Sequence, residues 1–306
     1  MANEILYSGL SDQRVAAVLG QEIALLLADR QSLWGHPALV YLGDLGLRGT
    51  TVIQQAQVGL DGYDEMGAIT EGSATSNTAL TDASDQVTIA RQALQYQYSG
   101  LAQLTDSLGV IDPVRLAASM VGSAMMRFQS MITALHAGFS QSAGTSGVDM
   151  SVDDFFDAQI TLDLVSASGE RIVDLHPRQW GDLQQSLRAE LGAIGYSPAT
   201  AAMLAAWGPG VKGTFLNTAI FASAKVPTAN AGADRDGLLW TRGAILWADA
   251  TQQARAGAFG TIIPAGKIQV EFESDAAYNL TKVVGNYFCG VAEGQDTMGC
   301  RIVTDA

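Results

Sequence analysis

Three acids, Asp153, Asp154 and Asp157, are spaced as a divalent-cation cluster would be. They also fit a helix start. Ser151 caps, Asp154 closes a capping box three positions on, and acids favour the positive end of the helix dipole. No second acidic motif accompanies them, so the cap is the favoured reading. Gly208-Pro209-Gly210-Val211-Lys212-Gly213 has the GxGxxG outline of a dinucleotide turn. Such a turn needs a strand before it and a helix after it; here an alanine-rich helix pattern precedes and a strand pattern follows. Gly195-Tyr196-Ser197-Pro198-Ala199 loosely outlines a nucleophile elbow, but Pro198 lacks the N–H that would serve an oxyanion. Ser197 with Pro198 reads instead as a helix start. His36, His136 and His176 have no His, Cys or carboxylate at ligand spacing, and structural roles are favoured. A triad drawn from distant positions stays open on spacing alone. Neither catalysis nor a cofactor or metal is called for.

Two cysteines, Cys289 and Cys300, lie near the C-terminus. If Tyr287–Val291 and Met298–Ile302 pair as a hairpin, the two fall opposite each other and geometry permits a disulfide. Two buried reduced thiols is the favoured reading. Two cysteines without a nearby histidine do not make a zinc site.

The elements around these residues come from a chain of 306 residues with 17 basic and 31 acidic side chains, a net charge of −14. That balance speaks against a basic nucleic-acid reader. Only 16% of residues are charged while 48% are apolar, against about 25% charged in an ordinary soluble domain. No apolar run reaches the length of a bilayer span. Met1-Ala2-Asn3-Glu4 carries no positive n-region, so no signal peptide is expected.

Asp12–Arg30 has helical periodicity within an N-terminal arm over residues 1–50. Val52–Val58 and Val87–Tyr98 read as strands, the second alternating Leu94, Tyr96 and Tyr98 against Gln95 and Gln97. Between them, Gly59–Gln86 is Gly, Ser, Thr, Asp and Ala with little periodicity, too long for an ordinary loop. From Thr51 to Ala90 there are six acids (Asp61, Asp64, Glu65, Glu71, Asp82, Asp85) and no lysine or arginine. Asp112-Pro113 then starts a long helix. Val114, Ala118, Val121, Met125, Phe128, Ile132, Leu135 and Phe139 form its stripe, and Arg115 and Arg127 are its formal charges. A helix so poor in charge is expected to be covered on more than one side.

After Gly144–Gly147 the pattern shortens. Ser151–Leu164 and Pro177–Leu191 read as helices, Arg171–Leu175 as a strand, and Ala199–Trp207 as a small helix. Gly213–Ala224 and Leu238–Trp247 read as strands. Lys267–Glu273 alternates Ile268, Val270 and Phe272 inward against Gln269, Glu271 and Glu273. Lys282–Val291 and Met298–Thr304 complete an antiparallel set.

This order resembles the major capsid protein of tailed bacteriophages, the Hong Kong 97-type coat fold. Leu175-His176-Pro177-Arg178-Gln179-Trp180 is similar to a stretch common in phage coat proteins, as is the ending Gly290-Val291 through Gly299-Cys300-Arg301-Ile302-Val303-Thr304-Asp305-Ala306. The resemblance implies an α+β fold with an N-terminal arm (1–50), an extended β-hairpin loop (51–98) and a peripheral domain with a spine helix (99–149). An axial domain (150–260) and peripheral C-terminal strands (261–306) follow. It further implies a non-enzymatic protein that assembles in the host cytoplasm, as hexamers and pentamers, into an icosahedral virion shell. The shell would enclose double-stranded DNA without reading its sequence and without a membrane. A separate scaffolding protein is expected, since the chain starts directly with its arm, together with a portal and a cement protein. The lysine-free loop has no nucleophile for the covalent crosslink of the namesake phage. Its acids Asp61, Asp64, Glu65 and Glu71 would seek Arg115 or Arg127 on a neighbour. A mildly acidic wall suits DNA that must be packed and released, because a basic wall would hold phosphates tightly. Two alternatives are an encapsulin-type nanocompartment and, in a different class, an α+β hydrolase with a constellation around His136 or His176.

Overall fold

The computed structural model describes residues 38–44, 52–58, 82–105, 113–165, 167, 169–190, 196–207, 211–251, 256–257, 260–265, 268–275 and 278–305. The expected helix over Asp12–Arg30, the Asp112 cap and the acids Asp61, Asp64, Glu65 and Glu71 lie outside these residues.

In chain order the elements are β1 (Leu39–Asp44), β2 (Val52–Val58), β3 (Asp82–Thr88), β4 (Ala90–Ser99), α1 (Gly100–Thr105), α2 (Pro113–Thr133), β5 (Ser142–Ala143) and α3 (Val152–Leu164). Next come β6 (Arg171–Leu175), α4 (Pro177–Glu190), β7 (Tyr196–Pro198), α5 (Ala201–Trp207), β8 (Val211–Phe215), β9 (Thr218–Ala222) and β10 (Thr228–Ala229). The chain closes with β11 (Asp234–Thr241), β12 (Ile245–Ala250), β13 (Ala256–Gly257), β14 (Gly260–Ala265), β15 (Ile268–Asp275), β16 (Leu280–Glu293) and β17 (Gly299–Asp305). The result is an α+β fold of two large sheets and a separate two-stranded ribbon. Among the described residues, no helix is long and apolar enough to cross a membrane.

The first sheet is organised by β16. Its first half pairs β15, its last six residues pair β12, and β4 runs antiparallel along its other edge from Leu280↔Ser99 to Cys289↔Ala90. The alternation expected in β4 is present: Leu94, Tyr96 and Tyr98 pack toward the core shared with α2. Val121, Phe128 and Ile132 of α2 are buried in that core, while Met126 stays 56% exposed. In the single chain the helix is therefore covered on one face.

The second sheet has the order β5-β17-β11-β6-β9-β8-β7. Helices α3 and α4 supply Phe155, Leu162, Leu183 and Leu187 to one of its faces. Ile172, Leu238 and Trp240 point to the opposite face and join the first core. The ribbon pairs β2 with β3, Gln54 facing Gln86 and Gln55 facing Asp85. Near its root it meets the body, where Val87 packs with Leu246 and Ala248. A Cβ at Gly290 would strike the Thr88 carbonyl, so the root passes directly over bare backbone.

Several sequence expectations need correction. The long helix ends at Thr133 instead of Phe139 and gives way to a 3-10 turn at His136–Gly138. The His136 ring is held by the Asp236 carbonyl, and the Glu293 carboxylate occupies the place of a Cβ on Gly138. Phe139 is still buried. Val87–Tyr98 is two strands with different partners, β3 in the ribbon and β4 in the first sheet. Gly213–Ala224 is a hairpin, β8 and β9, turning at Leu216 and Asn217 with φ of 47° and 62°. Leu238–Trp247 is broken at Gly243, φ 106°, and its halves enter different sheets. Ser197 and Pro198 lie in β7; α5 is started by Thr200, whose hydroxyl accepts from Met203 N at 3.3 Å. Gln269, expected outward, is fully buried beside Asn286, because both faces of the sheet are covered there. Finally, β16 and β17 do not pair. Cys289 lies in the first core and Cys300 in the second, both as free thiols, and burial pushes Cys300 up to about 11.

Candidate functional site

The acids at the start of α3 form a capping box. Asp154 N donates to Ser151 Oγ at 3.2 Å, and Asp154 Oδ2 accepts from Ser151 N at 2.8 Å. Among the described residues no three His, Cys, Asp or Glu side chains stand together as a metal site. Of the GxGxxG stretch, Gly208, Pro209 and Gly210 lie outside the described residues, while Val211, Lys212 and Gly213 belong to β8, a strand where a dinucleotide turn needs a helix. His176 caps α4, accepting from Arg178 N on Nδ1 at 3.2 Å.

Polar chemistry concentrates where the two coat-like stretches meet. The fully buried Gln179 is the third residue of α4, and its Oε1 accepts from His176 N at 3.0 Å. Its Nε2 faces three acceptors: Thr304 Oγ1 at 2.9 Å, Ile302 O at 3.1 Å and Arg235 O at 3.2 Å. One side chain thus ties the α4 cap to β11 and β17. Gly237 makes room for it, since a Cβ there would come within 3.1 Å of Gln179 Oε1.

Across the same strands Arg301 grips Asp236 with two bonds, Nε to Oδ1 at 3.0 Å and Nη2 to Oδ2 at 2.7 Å. The Asp236 carbonyl accepts from His136 Nδ1 at 2.8 Å. At the neighbouring loop Asp234 accepts from Ser146 Oγ at 2.6 Å, from Asn230, and from Gly147 N at 2.9 Å. Those donors hold its carboxyl below the usual range, Ser146 foremost.

Two buried groups carry a pH consequence. Burial lowers His136 to about 4, the Arg301 charge working in the same direction against the Asp236 bond. Burial alone raises Asp174 on β6 to about 8, and neither of its oxygens has a hydrogen-bond partner. An unfolded histidine takes its proton near 6.5 and the native one near 4, so His136 removes stability as pH falls between those values. Asp174 acts oppositely: unfolded it ionises near 3.8, native near 8, so stability falls as pH rises through that window. From about 4 to 6.5 the two offset each other, and above 6.5 only Asp174 acts. A loss of about 2 kcal/mol is expected between pH 6.5 and 8, at about 1.4 kcal/mol per pH unit. Melting temperatures of the native chain and Asp174→Asn across that range check this. The variant should lie nearly flat, and parallel curves would refute the assignment.

Of the residues expected at contacts between copies, Arg115 and Arg127 are both exposed on α2. Arg127 Nε donates to Gln92 Oε1 on β4 at 2.9 Å. It helps line a cleft of about 280 Å³ between α2 and the first sheet, with Leu94, Met120, Ala124 and Tyr287. The structure does not test the pairing with the acids, which lie outside the described residues. Sequence reasoning missed the Gln179 and Arg301 sites. A glutamine three positions after a His-Pro helix start was the available signal for the first; nothing local marked the second.

No protein-family model matches the sequence, and no curated protein matches it. Solved structures do. The capsid of Ralstonia phage GP4 overlays with a TM-score of 0.59 at 14% identity, over 91% of this chain and 90% of that one. The capsid of cyanophage P-SCSP1u gives 0.56 at 12%, over 87% and 86%. The SrpI encapsulin of Synechococcus elongatus gives 0.58 at 13%, over 90% of each. Agreement over about nine-tenths of the chain, at identities this low, is agreement of fold: the chain has the coat-protein fold found in tailed-phage capsids.

Proposed function

We propose that copies of this chain assemble, as hexamers and pentamers, into an icosahedral shell that encloses the double-stranded DNA of a tailed phage. The observation that carries this reading is the overlay with a phage capsid over about nine-tenths of both chains. The ribbon supports it, because a two-stranded hairpin is marginal in water without a further surface to cover it. Residues 51–98 would serve as the extended loop, 99–149 as the peripheral domain with its spine helix, 150–260 as the axial domain and 261–306 as the peripheral strands. The protein acts as a structural part and not as an enzyme, its place is the virion, and assembly occurs in the host cytoplasm. A separate scaffolding protein, a portal and a cement protein complete the set of partners.

Lacing between copies would be noncovalent. The acids Asp61, Asp64, Glu65 and Glu71 of one copy would meet Arg115 and Arg127 of the next. Such exposed pairs are individually weak and screened by salt, so their effect belongs to the many repeats of a shell. Charge reversal at both arginines should lower shell yield and the salt concentration at which shells fall apart. Sedimentation across a salt series reads both, and unchanged profiles would count against the pairing.

A cargo compartment is the second reading, favoured by the encapsulin overlay. Negative-stain microscopy of the expressed protein, alone and with a scaffolding protein, tests the shell itself. Uniform particles tens of nanometres across are expected, and a stable monomer under both conditions would overturn the shell. Nuclease-protected DNA inside particles from infected cells supports the phage reading, whereas an enclosed enzyme supports the compartment.

A further inference from the structure

Helix α3 buries Val152, Phe155, Ala158 and Leu162 against the second sheet. Its outer stripe should then be polar. It begins so, with Asp153 and Asp157 exposed, but continues as Ile160, 51% exposed, and Leu164, 80% exposed. Beside it stands the tip of the β8–β9 hairpin. A two-residue turn of this hand favours Asn-Gly, yet Leu216 occupies its first position at φ 47° and leaves its side chain 42% exposed. A bulky residue in left-handed backbone persists where something outside the local geometry rewards it.

The tip is not a loose loop. Phe215 packs on Phe155 at 5.1 Å between ring centroids. Gln159 Nε2 donates to Thr218 Oγ1 at 2.9 Å in a buried bond. Arg171, register partner of Thr218, pairs with Asp163 of α3. Stripe and tip therefore form one fixed apolar surface with an acidic rim, and Arg171 beside it is already paired with Asp163.

The same chain carries a surface of complementary character. On α5, Ala201, Ala202 and Leu204 are exposed, and Lys212 is exposed on β8 beside them, its carbonyl accepting from Ala199 N at 3.3 Å. Lys212 and Leu216 sit near opposite ends of β8, so each copy displays an acid-rimmed patch and a lysine-bearing patch at separate places. Two different complementary patches on one chain associate head to tail, and such contacts close into rings when the rotation allows.

We propose that the α3 stripe and the β8–β9 tip seat a second copy of this chain, which presents its α5 face and Lys212. This rests on the shell reading and specifies one contact within it.

Sedimentation of the full chain with its melting temperature provides the test. Leu164→Glu should cut the yield of large particles about tenfold while the subunit still melts as native. Leu216→Asn separates interface from fold: it relieves the turn, so the subunit should melt about 2–4 °C higher while assembly falls. Asp157→Lys and Lys212→Glu should each lower yield, and together they should restore it. Native yield from folded Leu164→Glu and Leu216→Asn variants would overturn the interface, leave the shell reading intact and point to a different protein as the cover. Failure of the exchange to restore yield would overturn the Lys212 pairing. Native protein that never assembles would instead overturn the shell reading, and this contact with it.

Discussion

Gln179→Leu is expected to lower stability by about 3–5 kcal/mol, although it swaps one side chain for another of similar size on a helix. The reason is what it abandons. His176 N loses its acceptor, and Ile302 O, Arg235 O and Thr304 Oγ1 lose their shared donor. Each buried polar group left unpaired costs about 1–3 kcal/mol, and replacing one partner by a hydrocarbon leaves the others stranded. Gln179→Glu should fail as well, because it removes the Nε2 donor and brings a charge into a fully buried place. For a chain of this size the loss corresponds to a fall of about 10 °C in melting temperature. A fall of under about 2 °C for both variants would mean that the α4 cap, β11 and β17 hold together without the glutamine. The prediction also bears on the resemblance in the sequence. The stretch Leu175–Trp180 and the ending around Ile302 and Thr304 are far apart in the chain, and Gln179 is the side chain that joins them.

The features legible in the sequence are those set by neighbours along the chain. Ser151 and Asp154 announced the start of α3, the bounds of β6 followed from its apolar run, and the Leu94–Tyr96–Tyr98 alternation placed β4 against a core. The same reasoning failed where the chain changes partners. Leu238–Trp240 and Ala244–Trp247 are equally apolar and buried, so the pattern on either side of Arg242-Gly243 does not tell one long strand from two strands in different sheets. The turn at Leu216-Asn217 carries none of the glycine that usually marks such a hairpin. Cys289 and Cys300 looked like cross-strand partners only because the intervening residues could turn. In the fold they carry the chain from one sheet to the other. The order of elements was therefore more legible than their pairing, and the overlay with capsid structures depends on both.

The second large effect is expected at Arg301. Arg301→Met removes both bonds to Asp236, whose side chain is 1% exposed, while Arg301 itself is 25% exposed. Removing one member of a buried pair strands the other charge and costs about 3–5 kcal/mol. The cost belongs to the orphaned carboxylate and not to a large net gain from the pair, which gives the prediction its shape. The double variant Arg301→Met with Asp236→Leu should recover most of the loss, since well-packed apolar replacement of a buried pair is often neutral. Arg301→Lys should recover little, because an ammonium cannot span two carboxylate oxygens as the guanidinium fork does. Urea midpoints for the three variants decide it. If the single and double variants unfold together, the carboxylate is not what makes the loss. If lysine matches arginine, the forked geometry is not needed. Should both expectations hold, β11 and β17 are clamped twice, by Gln179 at the outer end and by Arg301 further in. The second sheet would then keep β17 in place under the pull of neighbouring copies that the proposed shell implies.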